Sequence, residues 1–323
     1  MVMSDKISDF LKYISATSEQ NEVGHTNYQC VCQIGGNLKQ AEDARLITEI
    51  CVKLTIYTKT SLDGEPIDFN QVGSFQRGKK VVVLIHGWAS TGHDQYVRIA
   101  RTFAHKMDMN AIVVSWHRLA YNCYFLAASA TNCIGKYIAK VLVGVVYMTG
   151  TNPDDIHLIG HSLGGHVAGC CGLEFYKLYR KKLGRITGLD PAKPYFTLLT
   201  FLKSLVNTDA KFVEVLHSCT DSVLGTDKLL GDVDIFVNGG SCYNQPHCRG
   251  KGILGEPACA HSIAISMVEY VLDIGPFNMK KCSVRDDPSR ICTGSDSKWL
   301  IDVKVASGEY FLQFDWNVDL RLE

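Results

Sequence analysis

The sequence lacks several features that would place the protein in a specialised class. Its 323 residues contain no Asn-x-Ser/Thr glycosylation acceptor, and no apolar run approaches the roughly 18 residues of a transmembrane helix. Lys plus Arg and Asp plus Glu both number 33, so no net charge favours nucleic acid or an anionic membrane. We therefore expect a soluble protein with no nucleic-acid partner.

Internal repeats, low-complexity tracts and Pro-rich linkers are also missing. Hydrophobic residues make up 46% of the chain and charged residues 20%, which predicts a single globular domain at 46–323. Residues 1–45 are polar and have no clear apolar period, so they are predicted to form an N-terminal strap on that domain. The first 20 residues hold no apolar run of seven, and we expect no secretory signal there.

Cysteine, by contrast, is abundant. Thirteen cysteines are many for a reduced cytosolic protein and indicate oxidation. Three intervals suggest bridges, namely Cys242 to Cys248, Cys248 or a neighbour to Cys259, and Cys282 to Cys292. Cys170 and Cys171 lie in a predicted helix and are expected to be buried thiols.

Short apolar runs alternate with longer helical patterns after residue 50. The runs predict strands at 52–58, 81–87, 111–116, 156–162, 185–190 and 212–218. Helices are predicted at 93–107, 123–148, 163–181 and 260–273. This order predicts an α/β fold with a mostly parallel, doubly wound sheet and helices on both faces. The tail at 298–316 alternates around a Ser-Gly turn and predicts an antiparallel hairpin.

The segment GHSLG (160–164) fits the G-x-S-x-G pattern of a strand-to-helix turn that exposes a serine hydroxyl. The pattern occurs by chance in roughly one chain in ten of this length. Here it follows the apolar run IHLIG and opens a helical segment, which is the context the chemistry requires. Ser162 is therefore the predicted nucleophile, and the alternative is an ordinary Gly-rich turn.

A serine nucleophile needs a base, and the base needs an acid that fixes its tautomer. Asp190 ends the run RITGLD before a proline, at the carboxyl end of a strand that follows the nucleophile helix. It is the predicted acid; a turn-capping role is the alternative, and Asp221 and Asp227 remain as other candidates.

The predicted base is His261. It stands two residues after Cys259, at the start of the predicted last helix, so a disulfide and a helix would hold it rigidly. His217, at the end of a strand, and His247, in a Cys-flanked loop, are the alternatives.

Ester cleavage also needs N–H donors for the developing oxyanion. Leu163 follows the nucleophile directly and is one predicted donor. HGW (86–88) follows an early strand, which predicts the Trp88 N–H as the second; an ordinary turn is the alternative.

Taken together, HGW, VVVSWH, GHSLGGHVAG, ITGLDPAKPYF, DAKFVEVLH, VDIFVNGG with QPHC, and CAHS, in that order, resemble the pancreatic lipase family. The resemblance runs from about residue 50 to about residue 316. It implies the α/β-hydrolase fold, a triad of Ser162, Asp190 and His261, and oxyanion donors at Trp88 and Leu163. It also implies secretion, whereas the missing signal leaves an intracellular or particle-associated location as the alternative.

The lengths of two loops indicate the expected substrate class. In the family, a lid lies between the two cysteines before the catalytic histidine, and here Cys248 and Cys259 enclose only ten residues. The second substrate-flanking segment, 197–208, is also brief and apolar. Both features imply phospholipase A1-like activity. Lipid contact or core packing is expected for Leu198, Leu199, Phe201, Leu202 and Ile253.

The resemblance also implies that a calcium site, a C-terminal domain and a protein partner are absent. Calcium-binding relatives use acidic residues between GLDPA and the next strand, where this chain has only Asp209, so no metal or cofactor is expected. The chain stops soon after the predicted hairpin, and we expect neither a C-terminal β-sandwich nor a colipase-like partner.

The leading hypothesis is hydrolysis of the sn-1 ester of a phospholipid through an acyl-serine intermediate, with peripheral contact with a lipid surface. A triacylglycerol or galactolipid lipase is the second hypothesis. A catalytically inactive lipid-binding protein is the alternative from another class.

Overall fold

A computed structural model describes residues 51–68, 70–92, 94–196, 202–281, 296–299, 301 and 305–313. These residues form one sheet of eleven strands: β1 Lys53–Thr58, β2 Ser61–Ile67, β3 Val81–Ile85, β4 Asn110–Ser115, β5 Ile156–His161, β6 Arg185–Leu189, β7 Val213–His217, β8 Val233–Val237, β9 Phe277–Lys281, β10 Asp296–Trp299 and β11 Gly308–Leu312. The helices of these residues are α1 Gln95–Lys106, α2 His117–Ala120, α3 Tyr124–Thr149, α4 Leu163–Tyr179 and α5 Gly252–Ile274. The predicted strap at 1–45 lies outside the described residues.

The strand order is β10-β9-β11-β8-β7-β6-β5-β3-β4-β1-β2. Pairing is parallel from β4 through β11 and antiparallel at both edges. The predicted α/β fold with a mostly parallel sheet is confirmed. Because the carboxyl ends of parallel strands lie along one edge, the segments after β3, β5, β6 and β7 come close together.

The central strands are apolar along their whole length because both faces of the sheet are covered. All five residues of β3 are fully buried. Val81, Val83 and Ile85 join a core built with α3 and α4, whereas Val82 and Leu84 join a second core built with α1 and α5. Strand residues alternate between two helical layers, as in a doubly wound sheet.

The predicted hairpin at the tail is wrong. Residues 296–299 and 308–312 do form strands, but β9 lies between them and pairs antiparallel with each. β11 also pairs in parallel with β8. Alternation in the tail predicts strands but not their partners, because register depends on distant segments.

The last helix begins at Gly252, not at 260. The structure accommodates Pro257 in the second turn of α5. The other strands and helices predicted before the tail begin and end within two residues of the observed ones.

Candidate active site

The turn after β5 holds Ser162 in a strained backbone conformation. Its φ of 56° is in the left-handed region and its ψ is −120°, which non-glycine residues adopt only when the surroundings impose it. A Cβ on Gly160 would lie 2.1 Å from the Gly164 carbonyl oxygen, and one on Gly164 would lie 2.2 Å from the Ile85 carbonyl oxygen. The two glycines of the motif therefore permit the close contact that bends the chain at Ser162.

Asp190 leaves β6 with a φ of 44° and is fully buried. Its Oδ1 accepts the backbone N–H groups of Ser218 at 2.8 Å and Cys219 at 3.1 Å, both from the segment after β7. Two fixed donors orient the carboxylate and leave Oδ2 for another partner. That partner is His261.

His261 Nδ1 lies 2.5 Å from Asp190 Oδ2. Because an ionised carboxylate only accepts, Nδ1 carries the proton and Nε2 is left with the lone pair that a general base needs. Its side chain is 13% exposed, so the ring can meet a bound substrate. His261 lies in the third turn of α5 rather than at its start, since the helix begins earlier than predicted.

The structure brings the three predicted residues to one edge of the sheet. His161 and Leu189 are register partners in β5 and β6, and the N–H of Ser162 donates to the Leu189 carbonyl at 2.9 Å. Ser162 and Asp190 therefore leave neighbouring strands side by side. No hydrogen bond joins Ser162 to His261 in this structure. Such contacts are often loose before substrate binds.

The segment after β3 passes close to Ser162. A Cβ on Gly87 would lie 2.7 Å from the Ser162 Cβ, so only glycine fits there without a shift. Leu163 is the first residue of α4, and its N–H has no partner within the helix. The N–H groups of Trp88 and Leu163 as oxyanion donors remain a prediction supported by these positions.

His86 supports the segment after β3, a role that no sequence pattern indicated. Its Nε2 accepts the N–H of Trp116 at 3.0 Å, so Nδ1 carries the proton that is donated to the Gly87 carbonyl at 2.9 Å. Burial lowers the pKa of His86 to about 4. A neutral ring can make both contacts at once, which fixes Gly87 beneath the nucleophile.

Disulfides hold both segments that complete the site. Cys248 pairs with Cys259, two residues before His261, as one interval suggested. The predicted Cys242 to Cys248 bridge is wrong, because Cys242 pairs with Cys219 instead. Cys219 and Cys242 follow the neighbouring strands β7 and β8, which brings their Cα atoms within 4.2 Å across 23 residues of sequence.

The other described cysteines include bridged residues, one exposed free thiol, Cys123, and two buried thiols. Cys51 and Cys133 are also disulfide-bonded, whereas Cys282 and Cys292 lie outside the described residues. Cys170 and Cys171 are buried free thiols, as predicted. Burial raises the pKa of the Cys170 thiol to about 12.

The alternative acids have other partners. Asp221 accepts the Ser241 hydroxyl at 2.6 Å and the Cys242 N–H at 2.7 Å. Asp227 lies 3.5 Å from the Lys193 ammonium on the surface.

The alternative bases also lie elsewhere. Both ring nitrogens of His217 are engaged, with Asp234 Oδ1 at 2.8 Å and the Thr226 carbonyl at 3.0 Å. His247 is exposed in the segment before α5.

The short segment between Cys248 and Cys259 ends in helix. Its residues from Gly252 onward belong to α5, and Ile253 is 84% exposed. Leu202 packs in the core, which is the second of the two roles expected for it. Leu198, Leu199 and Phe201 lie outside the described residues.

Asp209, the acidic residue considered for calcium, is buried and accepts from Lys203 Nζ at 2.7 Å and the Val206 N–H at 2.9 Å. Within the described ranges, no group of three or more His, Cys, Asp or Glu side chains has the geometry to hold a metal ion. No helix in the same ranges is both long enough and apolar enough to cross a membrane.

Comparison with known proteins places these features in context. A family model described as Lipase matches residues 21–258. Lipase member H of Oryctolagus cuniculus is 36% identical over 204 residues, which are 62% of this chain and 44% of that protein. Phospholipase A1 1 of Dolichovespula maculata is 35% identical over 197 residues, which are 58% of this chain and 60% of that protein. Lipoprotein lipase of Sus scrofa is 38% identical over 182 residues, 54% and 37% of the two chains.

The chain spans less than half the length of the lipase member H and lipoprotein lipase sequences it matches. Among solved structures, MGS-M1, an α/β hydrolase from a deep-sea metagenome library, is 15% identical and covers 69% of this chain and 93% of that one, with a TM-score of 0.35. The family model covers well over half of the 323 residues and confirms the resemblance noted in the sequence. The chain belongs to the lipase family.

Proposed function

We propose that the protein is a serine carboxylic-ester hydrolase that cleaves the sn-1 acyl ester of a phospholipid. The observation that carries the proposal is the contact of His261 Nδ1 with the buried Asp190 carboxylate, beside a serine held in a strained strand-to-helix turn. This arrangement suits acyl transfer, because it supplies a nucleophile, a base with its lone pair free, and an acid that fixes the tautomer. The similarity to insect phospholipase A1 and to two vertebrate lipases supports the same chemistry.

The proposed reaction has two steps. His261 Nε2 removes the proton of the Ser162 hydroxyl while the oxygen attacks the ester carbonyl, and the N–H groups of Leu163 and Trp88 stabilise the oxyanion. The imidazolium then protonates the leaving alcohol. Water attacks the acyl-serine with His261 again as the base, which releases the fatty acid and restores the hydroxyl.

Ser162→Ala protein tests the chemistry. We expect the parent to release the sn-1 acid from a phosphatidylcholine with different acyl chains, and the variant to lose at least about 10³-fold in rate. Ser129→Ala is the matched control, because that buried hydroxyl makes no hydrogen bond among the described residues. Equal release by the Ser162→Ala protein would overturn the proposal.

The same lipid panel separates the alternatives. Faster release from triacylglycerol or galactolipid would favour the second hypothesis. A parent protein that binds lipid but forms no Ser162 adduct with a fluorophosphonate would favour the inactive lipid-binding protein. The short disulfide-closed segment between Cys248 and Cys259 supports the phospholipid assignment, since so short a cover leaves room for a bulky headgroup.

An aromatic cluster beside the nucleophile supports contact with a phospholipid surface. Trp88 packs edge-to-face against Tyr124 with ring centres 5.4 Å apart, and its Nε1 donates to the Asn122 carbonyl at 2.9 Å. Four apolar side chains of this region are between 39 and 60% exposed, namely Trp88, Tyr121, Phe125 and Leu126. We call these four residues the mouth patch. Tryptophan and tyrosine favour the boundary between water and acyl chains, so the mouth patch suits a bilayer surface from which an ester reaches Ser162.

A double variant, Tyr121→Ser with Phe125→Ser, tests the mouth patch. We expect binding to phosphatidylcholine vesicles to fall about 100-fold, because about 1.5 kcal/mol is lost for each of the two large apolar side chains that leave the lipid. Hydrolysis of a water-soluble short-chain ester should stay within about twofold of the parent.

The control pair is Tyr176→Ser with Ile274→Ser, two comparably exposed apolar residues. Each lies thirteen residues along a helix from Leu163 or His261, which is about 20 Å. Equal loss of vesicle binding by both pairs would reject the mouth patch as the docking surface.

We further propose an extracellular location, because stable disulfides are typical of oxidising compartments.

A further inference from the structure

A histidine next to the nucleophile touches the predicted base. His161 is the last residue of β5, and its Nε2 lies 2.9 Å from the backbone carbonyl oxygen of His261, one hundred residues further along the chain. The two imidazole rings are also in contact, with centres 4.7 Å apart. Because a carbonyl oxygen only accepts, Nε2 of His161 carries the proton and donates it.

This hydrogen bond ties the main chain of residue 261 to the strand that carries the nucleophile. Beyond residue 261, side-chain hydrogen bonds tie α5 to α1: Gln95 reaches Ser266 and Glu269, Arg98 reaches Glu269, and Lys106 reaches Asp273. Those contacts begin more than one turn further along the helix. The hydrogen bond from His161 joins β5 directly to the turn of α5 that carries the base.

Two contacts thus fix His261 from different sides. Asp190 holds the ring through Nδ1, which sets its tautomer and rotation. His161 holds the carbonyl of the same residue, which sets how far its Cα stands from Ser162. An imidazole whose ring is oriented but whose Cα can move would often point its Nε2 away from the nucleophile.

Burial and the neighbouring His261 ring lower the pKa of His161 to about 3, although the nearby Asp190 carboxylate acts in the opposite direction. His86 adds a smaller lowering effect. His161 therefore stays neutral in the range where histidine bases operate. It keeps its donor without placing a second positive charge beside the imidazolium that forms during catalysis.

We propose that His161 is a positioning residue that holds the predicted base, His261, at reaction distance from Ser162 through the hydrogen bond to its backbone carbonyl. The inference rests on the proposed function for its kinetic consequence. Its structural consequence is that residue 261 is held in one position, and this can be measured without substrate.

The test compares three variants. His161→Leu removes the donor but keeps much of the volume, and His161→Gln restores an N–H donor on a side chain of similar reach. His157→Leu is the control: it lies four residues earlier in β5, is also buried, and bonds Thr187 Oγ1 at 2.7 Å on the neighbouring strand.

We expect His161→Leu to lower kcat on a soluble p-nitrophenyl ester about 10- to 100-fold with KM within about twofold. His161→Gln should recover kcat to within about threefold of the parent. His157→Leu should lower the melting temperature and leave kcat nearly unchanged. Unchanged kcat in His161→Leu, no recovery in His161→Gln, or an equal kcat loss in His157→Leu would each overturn the inference. If His161→Leu does not fold, His161→Asn, whose amide is too short to reach the carbonyl, takes its place.

Two further readouts separate this inference from the proposed function. If a fluorophosphonate labels Ser162 of the parent, the labelling rate should fall in His161→Leu by a factor similar to kcat; an unchanged rate would reject the positioning role alone. If the parent is not labelled, the proposed function fails. In that case the positioning role is tested by NMR on the proton of His261 Nδ1. This proton should exchange with water faster in His161→Leu than in His157→Leu, and equal exchange rates would reject the positioning role.

Discussion

The two ends of the central strands both contain buried polar side chains but differ in backbone conformation. At the amino end, Arg185 Nη2 donates to Glu214 Oε1 at 2.6 Å, and the Thr187 hydroxyl donates to the same oxygen at 2.7 Å. These residues lie within regular strands. At the carboxyl end, Ser162 and Asp190 have φ values of 56° and 44°. The strained backbone occurs where side chains must leave the sheet and face a substrate.

The two ends also differ in the solvent exposure of their polar side chains. Glu214 is completely shielded, and its second oxygen accepts Trp299 Nε1 at 3.3 Å. Ser162 keeps 7% exposure and the His261 side chain 13%. The amino-end network can act only on stability, whereas the carboxyl-end groups can act on a ligand. The comparison is tested by changing one end at a time.

The largest effect is expected for Asp190→Asn. An amide cannot orient His261 in the tautomer that leaves Nε2 free, so kcat should fall about 10⁴-fold, equivalent to about 5.5 kcal/mol. The measurement is the rate of soluble ester hydrolysis, with circular dichroism to show that the fold is retained. A loss smaller than about tenfold would mean that Asp190 does not orient the base.

Glu214→Gln tests the other end of the sheet. Removing one member of a buried ion pair leaves Arg185 with an uncompensated charge, and the free energy of unfolding should fall by about 3–5 kcal/mol. We expect kcat of the folded protein to stay within about twofold. Urea unfolding and initial rates measure the two quantities, and a kcat loss comparable to that of Asp190→Asn would abolish the distinction between the two ends.

Gly87→Ala tests the packing at the carboxyl end. The new Cβ would lie 2.7 Å from the Ser162 Cβ and 3.0 Å from the His161 carbonyl oxygen, which forces the nucleophile or its neighbour to move. A displacement near 1 Å predicts about 10²-fold lower kcat. The control is Gly165→Ala, whose Cβ would meet its nearest neighbours at 3.4–3.5 Å, an ordinary contact. Similar rates for the two variants would contradict the steric argument.

The smallest predicted effect is a loss of folding stability at acidic pH. His86 and His166 are buried with pKa values lowered to about 4, mainly by desolvation, so the unfolded chain binds more protons between pH 6.5 and pH 4. Stability should therefore fall as the pH drops through that window, by at most about 1.4 kcal/mol per pH unit for each histidine. Above pH 6.5 neither residue contributes to the pH dependence.

His166→Gln measures the contribution of one such residue. The neutral ring of His166 accepts the Leu205 N–H at 3.1 Å and donates to the Ala192 carbonyl at 2.8 Å. Glutamine does not titrate, so urea unfolding between pH 7 and pH 5 should show a smaller loss of stability than in the parent. Exposed His105→Gln is the control and should leave the slope unchanged.

Much of the fold could be predicted because it depends on local patterns. Buried parallel strands are continuously apolar, so runs such as VVVLI located β3 without any knowledge of its partners. The glycines of GHSLG located the turn at Ser162, since few other residues allow such close approach. The order of Ser162, Asp190 and His261 along the chain reflects the order of β5, β6 and α5, the elements that position them.

Contacts between distant segments could not be predicted in the same way. Cys242 has Cys248 as its nearer neighbour in sequence but Cys219 across the sheet. The alternating tail pairs with β8 and β9 rather than with itself. In each case several partners are compatible with the local pattern, and the register of the sheet selects one.

Local sequence patterns therefore located most strands and helices, the turn at Ser162 and the kinds of residue that can perform acyl transfer, because periodicity and turn chemistry act over a few residues. Tertiary structure alone decided that Asp190 is held by the N–H groups of Ser218 and Cys219, that α5 begins before Cys259, and that His161 reaches His261. Those outcomes depend on packing two helical layers onto one sheet, which brings together residues as distant in sequence as His161 and His261 or Gln95 and Glu269.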